Sequence, residues 1–413
     1  MQGGLVVVAA MVLIFLRLLG ECFHIKIPAA FFYCSTRMIL AMLTTLCVTI
    51  LFGSRFINHL SRMSTGQSIR VEDCPDLIAL YQKKKKTPTM GGMLMVCAML
   101  LATAFWMDLQ NVFTLLLFLA TVWFALLGGR DDYLKMKHGN SKGMRMMSKF
   151  GLQALFSLLI ALYLFWPSLA QSIHHYRWFP PPSSKEFVHK GEEPIVCRHS
   201  TTETYGRYYL PFKKAPLFIL KNWGLILAFL MTGLVITGAS NSVNLADGLD
   251  GLAVGCVLIV SFVLTVFAFL SNHAICARYL NILFLEGSGE IAIYLSAMIG
   301  ACIGFLWYNG HPAQVFMGDV GSLVLGGVLG LSAVLLRREF LFAFVSGVFV
   351  IEALSVVLQV CSYRFLNKRR IFRCAPLHHH FEFKGWPEPK IVIRFWIIGL
   401  LLASVGLLSI KFQ

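Results

Sequence analysis

Long apolar runs alternate with short polar segments along this chain, and the runs share a characteristic length. Ten of them approach the ~20 residues a helix needs to cross the hydrocarbon of a bilayer. They are Met38–Ile57, Met90–Met107, Val112–Leu127, Phe150–Trp166, Leu217–Ala239, Gly251–Leu270, Ile291–Trp307, Gly321–Leu336, Phe340–Cys361 and Ile391–Ile410. Gly4 to Leu19 is apolar too, but Arg17 and Glu21 flank it and Pro28 follows; of a signal-like segment, an eleventh span and a helix lying in the membrane interface, the pattern favours the last. The expected fold is therefore an all-α integral membrane protein of about ten transmembrane helices. Residues 1–37 form an N-terminal interfacial segment, and 38–413 form one helical domain with a long polar loop at about 167–216.

The polar segments set the orientation. Three are dense in Lys and Arg: "RMSTGQSIR…YQKKKKTPTMGG", "GGRDDYLKMKHGNSKGMRMMSK" and "YRFLNKRRIFRCAPLHHHFEFKGWPEPK". The positive-inside rule places these in the cytoplasm. The loops between them are short ("DLQN", "RRE", Ser271 to Glu290), apart from Pro167 to Pro216. Long loops translocate largely regardless of charge, so that stretch is expected outside, as are both termini of an even-numbered bundle.

Composition agrees with this reading. Of 413 residues, 57% are hydrophobic and 14% charged, which excludes an ordinary soluble domain. The net charge of +16 is spread over the loops, as topology requires and nucleic-acid binding does not. The eleven cysteines show no paired spacing and mostly sit in apolar runs, where they act as small hydrophobes rather than a disulfide framework.

The polar motifs then fall on one membrane face. In "SNSVNLADGLDGLAVG", Asn241, Asn244, Asp247 and Asp250 recur every third residue, so on a helix each neighbours the next. Asp131 and Asp132 follow the third run, "WYNGHPAQVFMGDVGS" joins the seventh to the eighth, and "PLHHHFE" precedes the tenth. Acidic residues at a membrane boundary are costly and mark sites. Carboxylates suit Mg²⁺, which takes one or two of them together with water and substrate phosphate. The remaining acids are left to bind substrate, act as base or orient neighbours.

Lys83 to Lys86 and Lys149 supply cations, Gly91 and Gly92 permit close backbone approach, and Gly318 and Gly321 leave Asp319 open to a ligand. The three consecutive His suit anion binding or proton relay better than zinc, since their side chains diverge. Each motif alone has a plainer reading: a solvated loop end for Asp131–Asp132, a lipid patch for the lysines, a helix N-cap for Asp319. Together they indicate metal-assisted phosphoryl transfer with one lipid substrate. A proton-coupled transporter would place acids near mid-span or show inverted repeats, and the sequence does neither.

Six separated motifs, "KKTPTMGG", "DDYLK", "NSVNLADGLDGLA", "PAQVFMGDVGSL", "RIFRCAPLHHHFEFKGWPEPK" and "IRFWII", resemble in the same order the bacterial phospho-N-acetylmuramoyl-pentapeptide transferases. The resemblance runs from about Phe32 to the C-terminus. It implies a multi-pass protein of the bacterial inner membrane that moves phospho-MurNAc-pentapeptide from UDP-MurNAc-pentapeptide to undecaprenyl phosphate, releasing UMP and requiring Mg²⁺. It also implies a homodimer among membrane lipids, with no nucleic-acid partner. The sister activity, transfer of GlcNAc-1-phosphate to a polyprenyl phosphate, is the nearest alternative, and "PTMGG" and "LHHHFE" favour the muramoyl branch.

Carried over residue by residue, Asp319 matches the metal-binding carboxylate, and Asp131 and Asp132 match the catalytic pair at the lipid phosphate. Asn244, Asp247, Gly248, Leu249 and Asp250 match the strip lining the nucleotide pocket, and Phe316 the aromatic that stacks on uracil. Lys84, Thr89, Lys149, Asn309 and His378, His379 and His380 match further polar members of the substrate site. The chain departs from the family with Lys86 in place of a Gly, Ala246 in place of a Thr, a longer 167–216 loop, and Arg130 beside the aspartate pair, where its charge is expected to lower their pKa values.

Overall fold

Backbone in lipid must satisfy its own N–H and C=O groups, and the ten apolar runs accordingly become helical, the fifth only past its first residues, since Phe218–Ile219 pairs as a strand. The computed structural model describes residues 10–12, 14, 28–63, 87–138, 143–166, 182, 184–189, 194–365 and 370–411. The runs give α1 (Cys34–Arg62), α2 (Gly92–Trp106), α3 (Val112–His138), α4 (Met146–Phe165), α6 (Leu225–Ala246), α7 (Leu252–Ser271), α9 (Gly289–Asn309) and α10 (Gly318–Leu335). The ninth run gives two helices, α11 (Glu339–Val345) and α12 (Gly347–Phe365), parted at Ser346, and the tenth gives α14 (Glu388–Leu408). Among the described residues nine helices are long and apolar enough to cross a membrane, and α2 is a shorter apolar helix. The interfacial helix expected over residues 4–19 lies almost wholly outside the described residues.

Two helices run past their apolar stretches, and this creates the site. The third run was read to Leu127, but α3 continues to His138 and so carries Asp131 and Asp132 on helix rather than on a loop end. The fifth was read to Ala239, but α6 continues through Asn241 and Asn244 and stops at Asp247. Neither polar extension contains Pro, and both pack against α10, so tertiary contact sustains them.

Helix α10 is the axis of the bundle: every side chain from Asp319 to Leu335 is buried. It is packed by α3, α6 and α2, while α9 packs against α1 and α7. Its glycines let backbones meet. A β-carbon on Gly326 would lie 2.5 Å from the Ala239 carbonyl oxygen, and one on Gly330 2.8 Å from that of Val235. This is the small-residue spacing that draws membrane helices together. The outer helices α12 and α14 instead expose Ile351, Leu354, Leu358, Ile393 and Leu401.

At the end of α10 remote from Asp319, the long loop folds back on the bundle. Strand β1 (Ser184–His189) pairs antiparallel with β2 (Pro194–His199) and with β5 (Phe284–Leu285), giving the order β2-β1-β5. Helix α5 (Thr201–Tyr205) starts with a capping box between Ser200 and Glu203. It precedes the β3 (Arg207–Tyr208) and β4 (Phe218–Ile219) pair. Arg337, fully buried, donates from Nε and Nη2 to the Arg207 carbonyl at 3.0 and 2.6 Å and ion-pairs with Glu339. Its guanidinium lies 4.3 Å from the Tyr208 ring centroid, and Tyr205 donates its hydroxyl to the Leu335 carbonyl at 3.2 Å.

A second buried ion pair closes this end between α1 and α9. Arg37 Nη1 lies 2.8 Å from Glu290 Oε1, and Glu290 Oε2 accepts the Asp108 N–H at 2.9 Å. Breaking a buried pair leaves the surviving charge stranded, at a cost of about 3–5 kcal/mol. Arg37→Met is therefore expected to lower the thermal midpoint of purified protein by several degrees. An unchanged melting curve would mean that Glu290 does not depend on Arg37.

Candidate active site

Three carboxylates from two helices meet at the other end of α10. Asp131, Asp132 and Asp319 are nearly inaccessible, at 3%, 5% and 8% exposure, and offer oxygens within 4.8 Å of one another. Asp131 and Asp132 are adjacent on α3, and Asp319 is the second residue of α10. The N-cap of α10 is Met317, so the capping role for Asp319 does not apply. One backbone feature fixes the junction. Gly318 has φ +73°, and a β-carbon there would lie 2.7 Å from Asp132 Oδ2. That carboxylate oxygen instead accepts the Val320 N–H at 3.1 Å.

Two lysines hold this acidic cluster together. Lys135 Nζ lies 2.6 Å from Asp131 Oδ2, 3.7 Å from Asp132 Oδ1 and 3.0 Å from Asp319 Oδ2. Lys149, at the start of α4, pairs closely with Asp319 Oδ2 and lies 3.8 Å from Asp131 Oδ2. Lys149 is expected at the site from the sequence and Lys135 is not, although "DDYLK" contains it. Its signal is spacing: four residues past Asp131 on a helix puts Lys135 on the same face. Arg130 is exposed and lines a groove with Arg145, Ser148 and Leu152, outside the cluster. Consecutive helical residues diverge, so Lys135 and Lys149 are the cations beside the pair, and the lowering of its pKa values expected from Arg130 does not arise.

The three-spaced row divides between two places. Asn244 Nδ2 donates to Asp319 Oδ1 at 2.9 Å and to Ser322 Oγ at 2.8 Å, and Asn241 donates to Gln153 Oε1 at 2.6 Å. Past the helix end, Asp247, Gly248 and Leu249 form the turn into α7, and Gly251 adopts φ +76°. Asp250 faces elsewhere: its Oδ2 accepts the Ala313 N–H at 3.1 Å and lies 3.0 Å from His311 Nδ1, while its own N–H donates to Glu388 Oε1 at 2.7 Å. Asn309 accepts the Gly251 N–H and donates to the Val315 carbonyl, which ties this second cluster to the loop before α10. Asp250, His311 and Glu388 form a further set of groups able to hold a metal ion. Sequence reading named only Asp250 of these, because nothing local links the other two to it.

Asp247 is half-buried, and loss of hydration, followed by the charges of Asp319 and Asp132, pushes its carboxyl up to about 8. Between about 3.8 and 8 the folded protein therefore binds a proton there that the unfolded chain does not. Its contribution to stability accordingly falls as pH rises through that window.

Two motif loops are joined backbone to backbone. Phe316 donates its N–H to the Pro88 carbonyl at 2.9 Å, and the Gly91 and Gly92 amides donate to the Phe316 and Met317 carbonyls at 2.9 Å. Gly91 and Gly92 thus admit the chain's own backbone rather than a ligand, and a β-carbon on Gly92 would lie 2.4 Å from Gly321 Cα. Thr89 lies in this segment, next to Met90 at φ 71°. Lys84, Lys86 and the rest of the lysine run lie outside the described residues.

The three histidines have different partners, although the rings of His378 and His379 lie only 4.1 Å apart. His378 is fully buried against Glu352, His379 Nδ1 lies 2.7 Å from Glu382 Oε2, and His380 Nδ1 accepts the Arg373 N–H at 3.1 Å. Burial holds His379 below the ordinary imidazole range despite Glu382, and desolvation with nearby Lys384 and Arg373 lowers His380.

Residues 112–337 match the sequence model of glycosyl transferase family 4. A protein of Protochlamydia amoebophila named phospho-N-acetylmuramoyl-pentapeptide-transferase is 54% identical over 410 residues, covering 98% of this chain and 100% of that one. Proteins of the same name from Koribacter versatilis and Thermodesulfovibrio yellowstonii are 43% and 42% identical, each over 93% of this chain and 94% and 95% of their own lengths.

Proposed function

We infer the reaction from one premise: this chain belongs to the phospho-N-acetylmuramoyl-pentapeptide-transferase family, within glycosyl transferase family 4. It is a multi-pass membrane enzyme that transfers phospho-MurNAc-pentapeptide from its UDP carrier to undecaprenyl phosphate, forming lipid I and releasing UMP. The observation that carries this reading to the site is the convergence of Asp131, Asp132, Asp319, Lys135 and Lys149 at one end of the bundle. Three carboxylates against two ammonium groups suit a substrate made of phosphates and a divalent cation. We place this end in the cytoplasm, where the Lys/Arg-rich loops also fall.

An oxygen of the lipid phosphate attacks the sugar-linked phosphorus, the bond to the uridine-linked phosphate breaks, and UMP leaves. A phosphate monoester with a second pKa near ~6 is mostly dianionic at neutral pH. Asp131 and Asp132 are thus left with the residual proton and with orientation of the attacking oxygen. Lys135 and Lys149 place positive charge where phosphate oxygens enter. Asn244 fixes the direction of Asp319, and the Asp247–Leu249 turn with Phe316 borders the nucleotide.

The donor set fits Mg²⁺: hard carboxylate oxygens, buried and close together, with Asp319 as the principal ligand and the aspartate pair beside it. When bound, the ion would neutralise the diphosphate and its leaving phosphate.

Cation binding near Asp319 also favours ionised Asp247. Mg²⁺ is therefore expected to release protons at pH 7 and to bind more tightly as pH rises towards about 8. Calorimetric titration in two buffers of different ionisation enthalpy measures this, and identical heats would remove Asp247 from the linkage. The reading as a whole is tested by UMP release from purified protein with undecaprenyl phosphate, with and without Mg²⁺. UDP-MurNAc-pentapeptide and UDP-GlcNAc are run in parallel. Release with the muramoyl substrate alone is expected, and release with UDP-GlcNAc alone would move the chain to the sister activity.

A further inference from the structure

Helix α12 presents mostly apolar side chains to the membrane, yet it buries one carboxylate completely. Glu352 has 0% exposure, as does His378. Oε1 accepts the His378 backbone N–H at 3.1 Å, and Oε2 lies 3.2 Å from His378 Nδ1. The carboxylate thus holds the His378 backbone by a hydrogen bond and sets a charge beside its ring, Oε2 and Nδ1 making no hydrogen bond among the described residues, at the start of α13 (Leu377–Glu382), whose N-cap Pro376 makes no side-chain cap bond. The other ring nitrogen lies against Gly248. Nε2 is buried without a hydrogen-bond partner among the described residues, and a β-carbon on Gly248 would stand 2.3 Å from it. The imidazole therefore fills the space that Gly248 leaves open, directly behind the turn from Asp247 to Gly251.

We propose that Glu352 is a positioning residue: through His378 it sets the place of the Asp247–Gly248 turn at the nucleotide-sugar cleft. A buried ionisable group in a membrane helix is costly, and an apolar residue of similar volume would serve packing equally well. The carboxylate supplies what packing cannot, a hydrogen bond that fixes the His378 backbone and a charge 3.2 Å from Nδ1, with Nε2 against Gly248. The same logic applies where a carboxylate orients a working histidine. His378 is too enclosed to meet substrate directly, so its effect passes through the backbone it supports.

This inference rests on the reading of the cleft as a nucleotide-sugar site, and its test separates the two. In Glu352→Gln, amides of residues 247–251 are expected to exchange hydrogen about tenfold faster while α9 and α10 keep wild-type protection. In the turnover assay the KM for UDP-MurNAc-pentapeptide should rise about tenfold with kcat within about threefold, the pattern of lost uniform binding. Glu352→Asp keeps the charge and should restore part of both, and it serves if the glutamine variant folds poorly. Combining Glu352→Gln with His378→Ala should add little to either alone, because both act through one ring. Wild-type exchange at the turn, or protection lost evenly along α12 and α13, would overturn the role of Glu352. A wild-type protein that releases no UMP would overturn the cleft reading, while the exchange measurement still decides the positioning role.

Discussion

Asp319→Asn is expected to lower UMP release by about 10³-fold or more, the scale on which enzymes lose rate when one preorganised electrostatic contact at the reacting centre is removed. The carboxylate is the hub of the site. Its Oδ2 meets Lys135 at 3.0 Å and Lys149 more closely, and its Oδ1 accepts from Asn244 at 2.9 Å. Asparagine keeps the shape but loses the charge, so Lys149 and any Mg²⁺ lose their common partner. The measurement is initial rate against Mg²⁺ concentration. A variant that keeps near wild-type rate at limiting Mg²⁺ would show that the ion is held elsewhere, with Asp250, His311 and Glu388 the next set to substitute.

Lys135→Met should strike stability and activity together. The ammonium lies against all three carboxyl groups with only 27% of its side chain exposed, so its removal leaves Lys149 as the remaining ammonium in the buried cluster. Stranding buried charge costs about 3–5 kcal/mol, and a divalent cation would offset part of that. The expected result is a lower melting temperature without Mg²⁺, a larger upward shift on adding it than wild type shows, and turnover down about 10²-fold. If Mg²⁺ moved the variant no more than wild type, Lys135 and the cation would not share a site.

The apolar runs made the helices legible, since lipid leaves a chain few other ways to satisfy its backbone. Their ends were less so. Hydrophobicity falls away after Leu127 and Ala239, yet α3 and α6 continue because α10 packs against them, a tertiary effect that no local pattern announces. The same limit divided the site. Asp131, Asp319, Lys149 and Asn244 were found by motif and do meet. Lys135 required trusting a helix beyond the apolar run. His311, Glu388 and Glu352 answer partners dozens of residues away, at His378 across 26 positions and at Asp250 across 61 and 138. The family resemblance supplied roles for residues whose spacing alone left several readings open.

The sheet at the far end of the bundle also has a history in time. Strand β1 pairs with β2, its neighbour in the chain, but its other edge pairs with β5, which follows α6 and α7. With ribosomes adding about 5–20 residues each second, the β1–β2 segment is complete several seconds before its third strand is made. Until then it presents an unpaired edge, the kind of surface that recruits other strands. Arg337, which fixes the same loop to α10, is synthesised later still. The order of synthesis thus leaves this edge without its partner strand until α7 has been made.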